Sequence, residues 1–304
     1  TYEEAICYLE NACTFGIKPG LMRIHELLER LGNPQNRYKT VHITGTNGKG
    51  SVTALIANGL TAAGRKTGRY TSPHLEAYTE RMSVDGREIS REDFAAVTEK
   101  ISRAVEAMKA AGTEQPTEFE MLTAMAFLYF AEQDVAYAVI EVGMGGLLDS
   151  TNVVLPVMSV ITNVALDHTA YCGTTVEEIA RHKAGIIKDG VPVITAADGA
   201  ALDAVAERAA AKGAPLCVLG KDIAVTRRSL EKAAAGGLVQ HLRLRFTGGK
   251  ETSLELPLLG AHQADNCAVA AAALQYIGTV DAAVTDRAVR EGIRTVSWPG
   301  RFQV

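Results

Sequence analysis

Val41-His42-Ile43-Thr44-Gly45-Thr46-Asn47-Gly48-Lys49-Gly50-Ser51 is an apolar, β-branched run that breaks into glycines and then into a helical pattern. Strand, loop and helix in that order are the context a phosphate loop requires. Glycines 45, 48 and 50 let backbone N–H groups turn inward, the following helix adds the partial positive charge of its N-terminus, and Lys49 can neutralise the β and γ phosphates. Together they predict a nucleoside triphosphate site. The spacing is not the usual G-x-x-x-x-G-K-[ST], because Ile43 stands at its first glycine and Gly50 separates Lys49 from Ser51. The plainer alternative, a glycine-rich turn, is disfavoured by three glycines and a lysine in this position.

Outward from the loop, short β-branched runs alternate with alanine-rich helical stretches, the pattern of βαβ units around a parallel sheet. The expected fold class is α/β, a P-loop-type, mainly parallel sheet flanked by helices. Strands are expected at 41–44, 67–71, 135–141, 158–162, 191–195 and 216–219, and helices at 51–63, 90–111, 118–131, 175–183 and 200–212. Ser90-Arg91-Glu92-Asp93 and Thr175-Val176-Glu177-Glu178 read as capped helix starts. Beyond about residue 223, residues 240–246 and 252–256 alternate around Thr247-Gly248-Gly249-Lys250-Glu251, a hairpin signal that predicts a small antiparallel segment. Helical patterns at 261–277 and 281–292 lead to Ser297-Trp298-Pro299-Gly300, where the Pro-Gly pair breaks the chain as a linker would.

A chain of 304 residues, 47% hydrophobic and 22% charged, buries enough surface to fold without metals or disulfides. Its 31 Lys+Arg against 35 Asp+Glu, with no long run of one sign, give no footprint for nucleic acid. No stretch approaches the ~18 apolar residues of a membrane span, and the first residues do not form a secretion signal. Five scattered cysteines without a C-x-x-C pair fit the reducing cytoplasm. The chain begins without Met and stops in the apolar run Gly300-Arg301-Phe302-Gln303-Val304, so a fragment is expected.

Magnesium on a triphosphate calls for a carboxylate at the end of a strand beside the loop. Glu141 fits, ending the run 135–140 before Gly143-Met144-Gly145-Gly146; the alternative is a solvated strand-end acid. His168, in Leu166-Asp167-His168 after the next strand, should emerge at the same sheet edge, where ligands gather, as a ligand or as a structural histidine.

The loop, Tyr70-Thr71-Ser72-Pro73-His74-Leu75, Glu80-Arg81-Met82, Thr117-Glu118-Phe119-Glu120-Met121-Leu122-Thr123, Glu141-Val142-Gly143-Met144-Gly145-Gly146, Leu166-Asp167-His168, Lys183-Ala184-Gly185-Ile186-Ile187-Lys188, His262-Gln263-Ala264-Asp265-Asn266 and Trp298-Pro299-Gly300-Arg301 occur in this order. In that order they resemble the folylpolyglutamate synthase and dihydrofolate synthase branch of the Mur ligase superfamily over essentially the whole chain. The resemblance implies ATP-dependent amide ligation, in which a substrate carboxylate takes the γ-phosphoryl of ATP and the amino group of L-glutamate then displaces phosphate. It implies ATP held by Gly45, Thr46, Asn47, Gly48, Lys49, Gly50 and Ser51, with Asn266 on the adenine side and Arg301 reaching the phosphates. Ser72, Glu141 and His168 would bind magnesium, two ions in all, and Gly20, Leu21, Glu118 and Phe119 would meet the substrate. Lys49, Lys183 and His168 would serve the chemistry. Lys183 matches a lysine that this family carbamylates; unmodified, it would be a helix-surface lysine. Ser72 alone would pass for a turn residue, Asn266 for a helix hydrogen bond and Arg301 for a surface charge.

Complete members of the family carry a further Rossmann-like C-terminal domain, so residues 1–296 are expected to form the ATP-binding domain and 297–304 the linker and the start of the next. Lys18-Pro19-Gly20-Leu21 lies where bifunctional relatives carry Asp-Leu-Gly-Leu, which favours folate over dihydropteroate as acceptor. Leu147 replaces an arginine common after the double glycine. The expected reading is a monomeric folylpolyglutamate synthase acting on the γ-carboxyl of folates; the alternatives are dihydrofolate synthase or bifunctional activity, a cell-wall ligase, and a nucleotide-binding module without catalysis.

Overall fold

The structure, a computed structural model, describes residues 1–12, 18–232 and 237–298. In chain order it places α1 (Tyr2–Ala12), α2 (Met22–Arg30), β1 (Lys39–Thr44), α3 (Lys49–Ala62), β2 (Thr67–Tyr70), β3 (Met82–Val84), β4 (Arg87–Glu88), α4 (Arg91–Ala110), α5 (Glu118–Glu132) and β5 (Tyr137–Glu141). There follow β6 (Met158–Ile161), α6 (Thr169–Cys172), α7 (Val176–Lys183), β7 (Val193–Thr195), α8 (Gly199–Ala211), β8 (Leu216–Val218), β9 (Ile223–Lys232), β10 (Leu238–Phe246), β11 (Glu251–Leu256), α9 (Ala261–Val280) and α10 (Asp286–Arg294).

Eight strands form one sheet in the order β4-β3-β2-β5-β1-β6-β7-β8. It is parallel from β2 to β8, and β3 and β4 extend one edge antiparallel. Each expected strand of the α/β core is present. Alternation along β5 explains the two covered faces. Tyr137 and Val139 enter a core with α3 and α9, while Ala138 and Ile140 enter a second core with α4 and α5. A third cluster lies between the sheet and α7 and α8. Fully burying one such aliphatic side chain contributes roughly 1.5–3 kcal/mol, so the strand alternation itself fixes which helices lie on which face.

The helix starts follow their caps. Thr117 accepts from Glu120 N at 3.2 Å and Glu120 returns the bond to Thr117 N at 2.7 Å, a capping box at α5; Thr175 and Glu178 repeat it at α7. The hairpin closes as expected, with Phe246 N donating to Lys250 O. It belongs to a three-stranded antiparallel sheet, β11-β10-β9. Two helix starts differ from expectation by two residues or more. The helix after the loop begins at Lys49, because Gly48 already supplies the left-handed turn that starts it. The last helix begins at Asp286, not at residue 281, because Thr285 caps it, accepting from Ala288 N at 3.2 Å. Among the described residues no helix is long and apolar enough to cross a membrane.

Candidate active site

Register brings the site together. Ile43 pairs with Glu141 across β1 and β5, and Thr44 with Ile161 across β1 and β6, so the segments after β1, β5 and β6 leave the sheet at one carboxyl edge, where open α/β sheets bind ligands. The loop after β1 is pinned to the segment after β6. Thr46 N donates to Asn163 O and Asn47 N to Asn163 Oδ1, both at 2.8 Å, and Thr162 Oγ1 donates to Asn47 O at 2.6 Å. Gly45 and Gly48 have positive φ, 149° and 83°. A Cβ on either would collide, with Thr162 Oγ1 and Asn266 Oδ1 respectively.

Two lysines converge on this loop. Lys49 Nζ donates to Gly45 O at 3.0 Å and Thr46 O at 3.3 Å, and Lys183 Nζ donates to the same Gly45 carbonyl at 3.0 Å. Lys183 is 1% exposed, which corrects its expected place on a helix surface: the last turn of α7 points it under the loop. Burial first, and then the neighbouring Lys49 charge, push its ammonium pKa down to about 8. Ser51 accepts from Gln263 Nε2 at 3.2 Å, and Asn266 Nδ2 donates to Gln263 Oε1 at 3.0 Å. Asn266 therefore makes its helix hydrogen bond and also stands against the loop. Arg301 lies outside the described residues.

Next to the loop, a cleft of about 530 Å³ is lined by Ser72, Glu118, Phe119 and His168, together with Lys18 and Arg81. Four residues singled out from sequence segments nearly a hundred positions apart thus meet. Glu141, 4% exposed, accepts from Ser72 N at 3.4 Å. His168 takes a left-handed backbone, φ 48°, with Nε2 3.4 Å from Asp167 Oδ2. Gly20 and Leu21 do not line the cleft. Leu21 packs against the second core, and the wall is made by their neighbours Lys18 and Pro19. Lys18 pairs with Glu114 at 2.5 Å and Arg23 with the buried Glu120 at 3.1 Å, tying this segment to the start of α5.

Arg81, part of the Glu80-Arg81-Met82 motif but given no role from sequence, and Asp149, which no motif marked, also belong to this site. Arg81 donates from Nε to His74 Nδ1 at 2.8 Å. Glu80 beside it accepts the backbone N–H of Leu75, Glu76 and Ala77 at 2.7 Å each; burial opposes its charge, but these three donors hold its pKa below the ordinary value. Asp149 shapes the glycine turn after Glu141 by accepting Met144 N at 2.8 Å and Thr151 N at 3.0 Å. Its burial raises its pKa. The Asp149-x-Thr151 cap was the available signal.

The donors expected for a magnesium ion, the Ser72 hydroxyl, the buried Glu141 carboxylate and the His168 imidazole, are few, and among the described residues no three His, Cys, Asp or Glu side chains converge. Such a sparse, oxygen-led set fits an ion that keeps several waters and is bound mainly by phosphates.

The Mur ligase middle domain family matches residues 43–274. The chain is 38% identical over 306 residues to the dihydrofolate synthase/folylpolyglutamate synthase of Bacillus subtilis, covering 100% of itself and 70% of that protein. It is 38% identical over 307 residues to the folylpolyglutamate synthase of Lacticaseibacillus casei, covering 99% of itself and 70% of that protein. A solved structure described as an FPGS-AMPPCP-folate complex superposes with a TM-score of 0.89 at 36% identity, over 99% of this chain and 73% of the other.

Proposed function

We infer the reaction from one premise: the chain belongs to the folylpolyglutamate synthase and dihydrofolate synthase family of Mur ligases. It is an ATP-dependent ligase that joins L-glutamate to a folate. The observation that carries this reading is the meeting, at one sheet edge, of a lysine-bearing phosphate loop with the cleft that holds Ser72, Glu118, Phe119 and His168.

In the reaction a folate γ-carboxylate oxygen attacks the γ-phosphorus of ATP, ADP leaves, and the glutamate amine then displaces phosphate from the acyl carbon and loses a proton. The work of the protein is positioning and charge neutralisation. Residues 45–51 hold the triphosphate, with Lys49 swinging from its carbonyls to the phosphates. Magnesium, held at Ser72, Glu141 and His168, would supply further neutralisation of phosphoryl charge. Asn266 and Arg301 complete the nucleotide site, and Glu118 and Phe119 face the folate. Lys183 is the site of carbamylation: its neutral amine adds carbon dioxide and releases a proton, which turns a cation beside Lys49 into an anion. Lys18 and Pro19, standing in the cleft wall where bifunctional relatives carry Asp-Leu, favour folate over dihydropteroate as acceptor.

The test is ATP- and magnesium-dependent incorporation of labelled glutamate by the product of the complete reading frame, offered tetrahydrofolate and dihydropteroate in parallel. Incorporation into tetrahydrofolate alone is expected. Equal incorporation into dihydropteroate would replace this reading with the bifunctional one, and incorporation into neither would leave a nucleotide-binding module.

A further inference from the structure

A groove of about 490 Å³ lies between the outer face of the three-stranded sheet and the exposed side of α10, and it shares no lining residue with the folate cleft. Arg227 of β9, Arg243 of β10 and Arg287, Arg290 and Arg294 of α10 bring five guanidiniums to it. The three from α10 fall at i, i+3 and i+7, one stripe of the helix. Three carboxylates, Glu231, Glu255 and Glu291, share the groove, but they do not answer most of that charge. Glu291 is taken by Arg294 in a two-pronged pair at 3.1 and 2.7 Å, Glu231 sits 3.6 Å from His241, and Glu255 is in register with His241. Among the described residues the guanidiniums of Arg227, Arg243, Arg287 and Arg290 make no hydrogen bond or ion pair; Arg287 acts on Glu291 only through space.

The register makes this costly. Arg243 pairs directly with Arg227 across two antiparallel strands, the position at which like charges destabilise a sheet. Neither guanidinium can give up its proton. A face that opposes two permanent cations, and adds two more from a neighbouring helix, is relieved by an anion with several charged groups, each matched to a planar fork. Nucleic acid fits poorly, because no Phe, Tyr or Trp is among the lining residues to stack a base and the one ring, His241, sits against Glu231, and the interspersed carboxylates would repel a continuous phosphate backbone.

We propose that this groove binds an oligo-γ-glutamate chain, the tail of a folate, at a site separate from the ligation cleft. The identity of the ligand rests on the ligase reading: each added glutamate leaves one more α-carboxylate, so the reaction itself makes a polycarboxylate. A product with a long tail would be held by that tail while its pterin is free of the cleft.

The experiment measures fluorescence anisotropy of labelled hexa-γ-glutamate, which has no pterin, with the full 304-residue chain in the absence of ATP. Tripolyphosphate and a single-stranded oligonucleotide are the competitors. Saturable binding is expected, weakened at least about tenfold, or about 1.4 kcal/mol, in the Arg227→Gln/Arg243→Gln double variant and again in Arg290→Gln. The melting temperature of the double variant should stay level or rise, because a repulsion has been removed, and ligation onto a monoglutamyl folate should not change. Absent binding, binding indifferent to the variants, or displacement by tripolyphosphate or the oligonucleotide at lower concentration than by unlabelled hexa-γ-glutamate overturns the proposal. Ligation plays no part in the assay, so the two readings fail separately. Arginine-dependent binding by a protein that adds glutamate to no folate would leave the groove standing and remove the ligase; active ligation without such binding would remove the groove alone.

Discussion

Lys183 and Lys49 lie against one carbonyl oxygen, that of Gly45, and their different burial gives them different work. Lys49 is placed to exchange carbonyls for phosphates, and Lys49→Ala should abolish ATP-dependent ligation while leaving the melting temperature within a degree or two, since its charge serves the ligand and not the core. Retained turnover in that variant would remove the phosphate-loop assignment. Lys183, with a pKa pushed down to about 8 by burial and by Lys49, is a growing neutral-amine population as pH rises through that value. Carbamate formation should therefore increase from pH 7 to 9, read as a carbamate carbon resonance under labelled carbon dioxide, and be missing from Lys183→Ala. The sequence Lys183-Ala184-Gly185 identified the residue only by resemblance. Its burial was not legible, because it depends on α7 ending beneath a loop 138 positions earlier in the chain.

Strand β1 combines the glycine-rich loop at its end with a buried histidine in its middle. His42 is 0% exposed, its Nε2 hydrogen-bonded to Thr151 Oγ1 at 2.8 Å, and is held neutral by desolvation and then by Lys188, its pKa pushed down to about 3. The unfolded chain takes up this proton near the ordinary value of 6.5, so between about 6.5 and 3 unfolding binds a proton and stability falls as pH falls. This one group should cost about 2 kcal/mol on going from pH 7.5 to pH 5. Denaturant titrations at the two pH values should show that slope in the wild type and lose it in His42→Gln. At this scale most elements were legible, because β-branched runs, capping boxes and the hairpin glycines are local signals. Strand β9 was not: Thr226, Arg227 and Arg228 are all exposed in succession, so the alternation that reveals a half-buried strand is missing. Helices α1 and α2 also went unread, lying outside the βαβ pattern that organised the reading.

Across the whole molecule, Asp281 at the end of α9 ties distant parts together by accepting from Arg65 Nε at 2.9 Å and from Tyr137 OH at 3.0 Å. The Arg65 bond lowers its carboxyl pKa to about 2, burial opposing. That depressed value keeps the contribution whole above the ordinary 3.8 and loses it only as pH falls through about 2. Asp281→Ala should cost about 1–2 kcal/mol, a figure discounted because Arg65 is 39% exposed, by the same amount at pH 5 and pH 8. The candidate site was legible in part. The motifs named Ser72, Glu118, Phe119 and His168 and included Arg81, yet their meeting in one cleft depends on how α5 packs beside the sheet edge, which no spacing encodes. Two of the three apolar cores meet at the phosphate loop: α3 of the first holds it directly, while the third holds it through Lys183 of α7 and through the turn after β5, where Thr44 Oγ1 donates to Gly145 O. A bound nucleotide therefore fastens two units that could otherwise open independently. Amide hydrogen exchange should slow in α8, which packs in the third core and carries no loop residue, together with α3; slowing confined to α3 would show that the cores breathe on their own.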